Sequence, residues 1–126
     1  MIDVIPLIGT TDATGDSTVI ATRSVLGLLQ EVVWIDGDLA DGVDGTLSVT
    51  VRPNAAPDLT LLTLTDANSD AVYRPREAVH GNTGTALTYN STEGVTDMPV
   101  IDGTLQLVIA QGGNAKTGGA LVYVKK

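Results

Sequence analysis

The sequence predicts an all-β fold, an antiparallel β-sandwich or jelly roll of seven to nine short strands, and three observations carry that expectation. Thr, Val, Leu and Gly dominate while Phe is absent, the composition of β-branched strands cut by turns. Several segments alternate apolar and polar residues with period two. Twelve of the 15 acidic residues are Asp, which favours turns over helix interiors and so implies many tight connections.

The strands follow in order. Residues 1–17 open with the Pro-broken apolar run Ile2, Val4, Ile5, Leu7, read as an edge strand or as an arm that adds to a neighbour's sheet. Arg23 to Ile35 also fits a helical stripe, but Gly27 and the Val32-Val33-Trp34-Ile35 end favour one long strand bulged at the glycine. In Thr46–Arg52, Leu47, Val49 and Val51 share one face and the hydroxyls the other, as in a half-buried strand. Leu59–Leu64 is a further strand, and Thr104–Ala110 sets Leu105, Leu107 and Ile109 on one side. Ala120–Val124 is apolar on both sides, so it is central or covered at an interface.

Turn chemistry marks Asp36-Gly37-Asp38, Asp41 to Gly45, Asp66-Ala67-Asn68 and Gln111 to Asn114. Asp102-Gly103 reads as a two-residue hairpin turn. Arg74 to Met98 shows no strong period and forms one long excursion, of the length that is usually functional or interfacial.

The 126 residues make one domain, long enough to bury a core without staples, and the chain has no cysteine to form a disulfide or thiolate site. A formal charge of -8 disfavours binding to nucleic acid or an anionic membrane. No signal-peptide pattern opens the chain and no apolar run reaches membrane-spanning length, which points to synthesis in the cytoplasm.

Chemistry finds little to stand on. His80 is the one histidine and has no nucleophile elbow beside it, so it reads as a solvated loop residue. Asp36, Asp38, Asp41 and Asp44 offer oxygens at spacings that a calcium ion could use, but without an EF-hand's closing Glu, and an acidic solvated turn is the simpler reading. Asn90-Ser91-Thr92 matches a glycosylation sequon by chance. The paired glycines at 112–113 and 118–119 lack a phosphate loop's strand-to-helix context. Arg74 and Arg76, flanking Pro75, suit either an internal carboxylate clamp or a contact with a neighbouring subunit. The expectation is a binding and assembling protein, not an enzyme, with no cofactor and no metal, its candidate contact residues being Ile2, Val4, Ile5, Arg74 and Arg76.

Three segments carry a resemblance: Tyr73-Arg74-Pro75-Arg76; Pro99–Ala110 running into Gln111-Gly112-Gly113-Asn114-Ala115-Lys116-Thr117-Gly118; and the closing strand Ala120-Leu121-Val122-Tyr123-Val124. From Ser17 onward the chain resembles the small head decoration (cement) proteins of tailed bacteriophages. That resemblance implies a β-sandwich virion protein, made in the bacterial cytoplasm, that trimerises on the outer surface of the phage head and clamps major capsid protein subunits together, with no catalytic residues. A phage tail or fibre component, or a carbohydrate- or receptor-binding sandwich, is the alternative, although aromatics at 3% of residues weigh against sugar binding.

Overall fold

The computed structural model describes residues 1–80, 82–88 and 94–126, and among these no α-helix forms. Nine strands follow in chain order: β1 Ile2–Thr10, β2 Ser17–Ile35, β3 Asp44–Thr50, β4 Leu59–Leu64, β5 Ala71–Tyr73, β6 Glu77–Ala78, β7 Thr96–Asp97, β8 Val100–Ala110 and β9 Thr117–Lys125. Seven of them form an antiparallel sheet in the order β1-β9-β2-β8-β3-β4, with β5 also on β2, and β6 pairs with β7. The all-β sandwich is what the alternating pattern predicts.

The sandwich comes from β2. Its first half, to Leu28, pairs with β8, and its second half, from Leu28, pairs with β9. The strand therefore belongs to both layers. One layer is β1, β9, the second half of β2 and β5; the other is the first half of β2, β8, β3 and β4. Inward residues of both layers make a single core in which Leu7, Trp34 and Val122 join Leu47, Leu105 and Ile109. Trp34 crosses the gap: its Nε1 donates to Ala67 O at 3.0 Å, and a Cβ added at Gly45 would lie 3.0 Å from its Cζ3. Gly45 is therefore small so that an indole can fit over it.

Two local expectations need correcting. The register shifts of β2 fall between Ile20 and Ser24 and between Leu29 and Glu31, not at Gly27. Gly27 instead marks the passage between layers, where an added Cβ would lie 2.7 Å from Val124 Cγ1 and 2.8 Å from Lys125 O. Asp102-Gly103 is no turn but lies inside β8. There Gly103 lets β8 approach β3 closely, because a Cβ would collide with Thr50 O. Residues 2–10 form an edge strand in nine-residue register with β9.

The two ends of the sandwich differ. One collects the β1–β2, β2–β3, β4–β5 and β8–β9 connections, and with them eight aspartates: Asp12, Asp16, Asp36, Asp38, Asp41, Asp44, Asp66 and Asp70. The other end carries both termini, the β3–β4 connection and the base of the 74–99 excursion.

That excursion has an order that its composition hides. Val79 N donates to Val95 O, Val95 N to Leu87 O, and Leu87 N to Val79 O, at 2.9, 3.0 and 2.7 Å, closing a ring. Ala78 pairs with Thr96, Ala86 with His80 and Gly94 with Thr88. Each of these relations repeats every eight residues, so the segment is a miniature three-fold arrangement written in Ala78-Val79-His80, Ala86-Leu87-Thr88 and Gly94-Val95-Thr96. The sequon at 90–92 lies outside the described residues.

Candidate docking face

Pairing register decides which side chains share a face, because partners across an antiparallel ladder point the same way. In the layer built on β1, the row Pro6–Leu121–Val33–Val72 crosses all four strands outward. The row on one side is Val4–Tyr123–Glu31, and on the other Ile8–Gly119–Ile35. The intervening residues Ile5, Leu7, Ala120, Val122, Val32 and Trp34 are the buried inner face. The central row of the outer face is therefore apolar from edge to edge. Ile2, Val4, Ile8 and Val72 on this face are 45%, 46%, 41% and 50% exposed. Single exposed apolar residues need no explanation, but a contiguous sheet face marks an interaction surface.

Charges gather around this face without entering its centre. Arg74 Nη2 pairs with Glu31 Oε1 at 3.4 Å on the β5 side. Asp3 Oδ2 receives Arg23 Nη2 at 3.0 Å and Lys126 Nζ at 2.7 Å where the termini meet. The bond from Lys126, then that from Arg23, holds the Asp3 carboxyl below the usual carboxylate range. Lys125 stands opposite Ile2.

The residues singled out from sequence divide accordingly. Ile2 and Val4 lie on the outer face, as a contact role requires, and Arg74 borders it. Ile5 is corrected: at 6% exposure it is core, since alternation along β1 turns it inward. Arg76 Nη1 donates to Gln30 O at 3.1 Å and Pro75 O at 2.7 Å, so it fastens the base of the excursion to β2. The apolar-on-both-sides reading of Ala120–Val124 located this surface; what sequence alone missed was that Val33, Ile35 and Val72 extend it.

Among the described residues no three His, Asp or Glu side chains come together in a metal-holding group. Of the four calcium candidates Asp36, Asp38, Asp41 and Asp44, Asp38 and Asp44 spend carboxylate oxygens on loop closure. Asp38 Oδ1 accepts Thr117 N at 2.6 Å, and Asp44 Oδ1 accepts Asp66 N at 3.1 Å. Asp12 Oδ1 accepts Thr14 N at 2.9 Å and Asp16 N at 3.0 Å, bonds that lower its pKa. The Asp12 bonds are local Asx contacts within the β1–β2 turn, whereas those of Asp38 and Asp44 tie separate connections together.

An open notch of about 430 Å³ at the opposite end is lined by Leu26, Val51, Arg52 and Asp102 among others. Val51 there has φ 48°, a left-handed conformation that is an outlier for a β-branched residue. Arg52 Nε and Nη2 grip both Asp102 oxygens at 2.9 and 3.3 Å, and Nη1 reaches Pro57 O at 2.8 Å. That fork ties the residue after Val51 to β8 and to the β3–β4 connection. His80, in its isolated bridge to Ala86, is exposed and outside the notch.

No family model matches the chain, and no curated protein matches it. A solved structure, the crystal structure of FlhE, is similar over 99% of this chain and 98% of that one, at 10% identity and a TM-score of 0.43. This corrects the functional expectation. The protein met in the comparison is FlhE and not a capsid-decorating protein, and the head decoration assignment is withdrawn. At that TM-score the likeness transfers nothing of FlhE to this chain.

Proposed function

We propose that the chain is a non-catalytic assembly domain that docks onto a protein surface through the outer face of the β1-β9-β2-β5 layer. The row Pro6–Leu121–Val33–Val72, apolar across four strands, carries this reading. Covering about 400 Å² of apolar surface is worth about 10 kcal/mol gross. Much of that is offset by the cost of association, so the face supports reversible binding and not permanent fusion. Acids set around the opposite loops leave the face free of like-charge repulsion and keep the rest of the molecule in water.

The absence of catalysis in this proposal draws on the same inventory. The aspartates close turns, His80 stands exposed on the excursion, and the notch beside Val51 is held by a matched ion pair. The test is affinity capture with the immobilised chain beside its Val4→Glu and Leu121→Glu variants. A partner retained by the wild type and released by both variants supports docking by this face. Equal recovery on all three supports discards it.

A further inference from the structure

We infer that β4 is a pairing edge for a second copy of this chain, the two β4 strands running antiparallel about a two-fold axis at their centre. This edge belongs to the layer opposite the proposed docking face, so the inference goes beyond that reading and stands without it.

Three strands end the layers, and they are guarded unequally. β1 carries Pro6 and is closed against the first half of β2, where Asp3 pairs with Arg23 and a Cβ added at Gly9 would lie 2.6 Å from Val19 Cγ2. β5 is only three residues long. β4 is six residues long and holds no proline, glycine or charge. Among the described residues it makes no backbone hydrogen bond beyond its ladder with β3. An open hollow of about 220 Å³ lies between Leu59–Leu61 and the excursion base at Pro75–Glu77. Such a row of backbone donors and acceptors is a template for another strand.

The sequence of β4 says which strand. Leu59-Thr60-Leu61-Leu62-Thr63-Leu64 reads the same in both directions. Two antiparallel copies centred between Leu61 and Leu62 therefore set Leu59 against Leu64, Thr60 against Thr63 and Leu61 against Leu62, each pair occurring twice. Strict alternation would put Leu61 and Leu62 on opposite faces and spoil the match. The fold removes that obstacle. Its register with β3 slips here, with Leu47 facing Leu62 and Ser48 facing Thr60, so Leu61 is the extra residue of a bulge. Thr60 and Thr63 are both exposed, whereas Leu59, Leu61 and Leu62 are half-buried and Leu64 is buried. Side-chain facing is thus symmetric about the same point as the sequence. Leucines meet leucines on the core side and threonines meet threonines on the solvent side, cross-strand pairs of the kind that stabilise sheets. Continued past the strand ends, this register brings Asp58 within one position of the second copy's Asp66, a repulsion that salt screens.

Sedimentation velocity of the full chain over a concentration series tests this, beside two double variants at the exposed threonines. Thr60→Lys with Thr63→Lys sets lysine against lysine twice across the pairing, whereas Thr60→Lys with Thr63→Glu sets lysine against glutamate at the same positions. Wild type should shift from 13.0 kDa to twice that mass. Its dissociation constant should be on the order of 100 µM, because a six-residue strand pair buries less than a standard interface. The double-lysine variant should weaken the dimer by about tenfold or more, and the lysine–glutamate variant should stay within about threefold of wild type. Two added lysines lower the general repulsion of a chain of charge -8, so weakening by them reports the strand register. Sodium chloride at about 0.5 M should tighten the wild-type dimer, and the amides of 59–64 should gain hydrogen-exchange protection as concentration rises. A monomer up to about 1 mM, or a dimer that the two double variants affect alike, overturns the inference. A dimer lost in Val4→Glu but kept in the double-lysine variant places the contact on the docking face and overturns it as well.

Discussion

The two outer faces of the sandwich occupy equivalent positions and are built from the same kind of strand, yet they are chemically opposite. On the β1 layer the central row reads Pro6–Leu121–Val33–Val72. On the β8 layer the corresponding rows read Thr63–Thr46–Val108–Thr18 and Thr60–Ser48–Gln106–Ile20. Thr and Val have nearly the same shape and both suit strands, so local conformation does not demand the difference. Water does. The hydroxyl-bearing face remains solvated without loss, whereas the apolar face keeps several hundred Å² of hydrocarbon wet unless something covers it. Strand propensity explains why both faces form but not why one of them is apolar, which is the contrast that the proposed docking role addresses.

The largest effect separates inward from outward residues on a single strand. Trp34→Ala removes a fully buried indole that spans the layers over Gly45 and leaves Ala67 O without its donor. It should cost about 3–5 kcal/mol in chemical denaturation. Its outward neighbour Val33→Thr should change stability by no more than about 0.5 kcal/mol while weakening association. Equal destabilisation by the two would show that the outer face is packed within the monomer, and the contrast between faces would disappear.

The next prediction turns one face into the other. Thr46→Val with Gln106→Val adds apolar area to the centre of the solvated layer, where Thr46 faces Val108 and Gln106 faces Ser48. The double variant should keep its melting midpoint but gain concentration-dependent mass beyond that of the parent in sedimentation, since a second apolar patch creates a second sticky side. An unchanged mass distribution would mean that strand residues on an outer face are interchangeable, and that the apolar layer needs no partner.

How much of this was legible in the sequence depended on whether the signal was local. Leu59–Leu64 was read with its boundaries intact, because alternation and a Pro-Asp entrance are local features. Ala120–Val124 announced a covered strand for the same reason. The apolar face as a surface was not legible: Val33 sits in a continuous apolar run and Val72 in a three-residue strand, and only pairing register joins them to Leu121 and Pro6. Asp102-Gly103 misled because the same dipeptide serves a turn or a close strand approach, and Thr50 O, fifty residues away in sequence, decides between them. The ring in the excursion had a signal that was available, an eight-residue spacing of Val79, Leu87 and Val95, but a period of eight matches neither helix nor strand. Of the four neighbouring aspartates that looked like cation ligands, Asp38 and Asp44 each accept a bond from a backbone amide distant in sequence, which sequence cannot show.

A smaller effect concerns the ion pair beneath the strained Val51. The hydrogen bonds from Arg52 hold the Asp102 carboxyl below its ordinary value. A carboxylate with a depressed folded pKa contributes stability that is present above its unfolded pKa and lost as pH falls through the folded one. Asp102→Asn should therefore lower the melting temperature at pH 7, with the gap to wild type closing in the acid range below about pH 4. A gap that persists undiminished in acid would assign the loss to altered packing near the notch, and not to charge.

The smallest effect has the opposite sign and lies at the aspartate end, where like charges crowd instead of pairing. Burial, then Asp41 and Asp70, raises the Asp36 pKa, and Asp36 Oδ1 is buried without a hydrogen-bond partner. A raised folded pKa means that the charged form is disfavoured in the fold. The stability linked to this proton is complete below the unfolded pKa and is lost as pH rises through the folded value. At neutral pH the ionised group thus costs stability, and Asp36→Asn should raise the melting temperature slightly there. Below about pH 4 wild type carries a neutral carboxyl and the difference should vanish. The backbone bond from Asp36 N to Asp70 Oδ1, 2.8 Å long, does not involve the substituted side chain and gives an internal control, because Asp70→Asn weakens that acceptor and should not reproduce the gain. Should Asp36→Asn destabilise at neutral pH, the acidic end would be held by that carboxylate and not strained by it, and the division of the molecule into a charge-crowded end and a charge-balanced face would lose its acidic half.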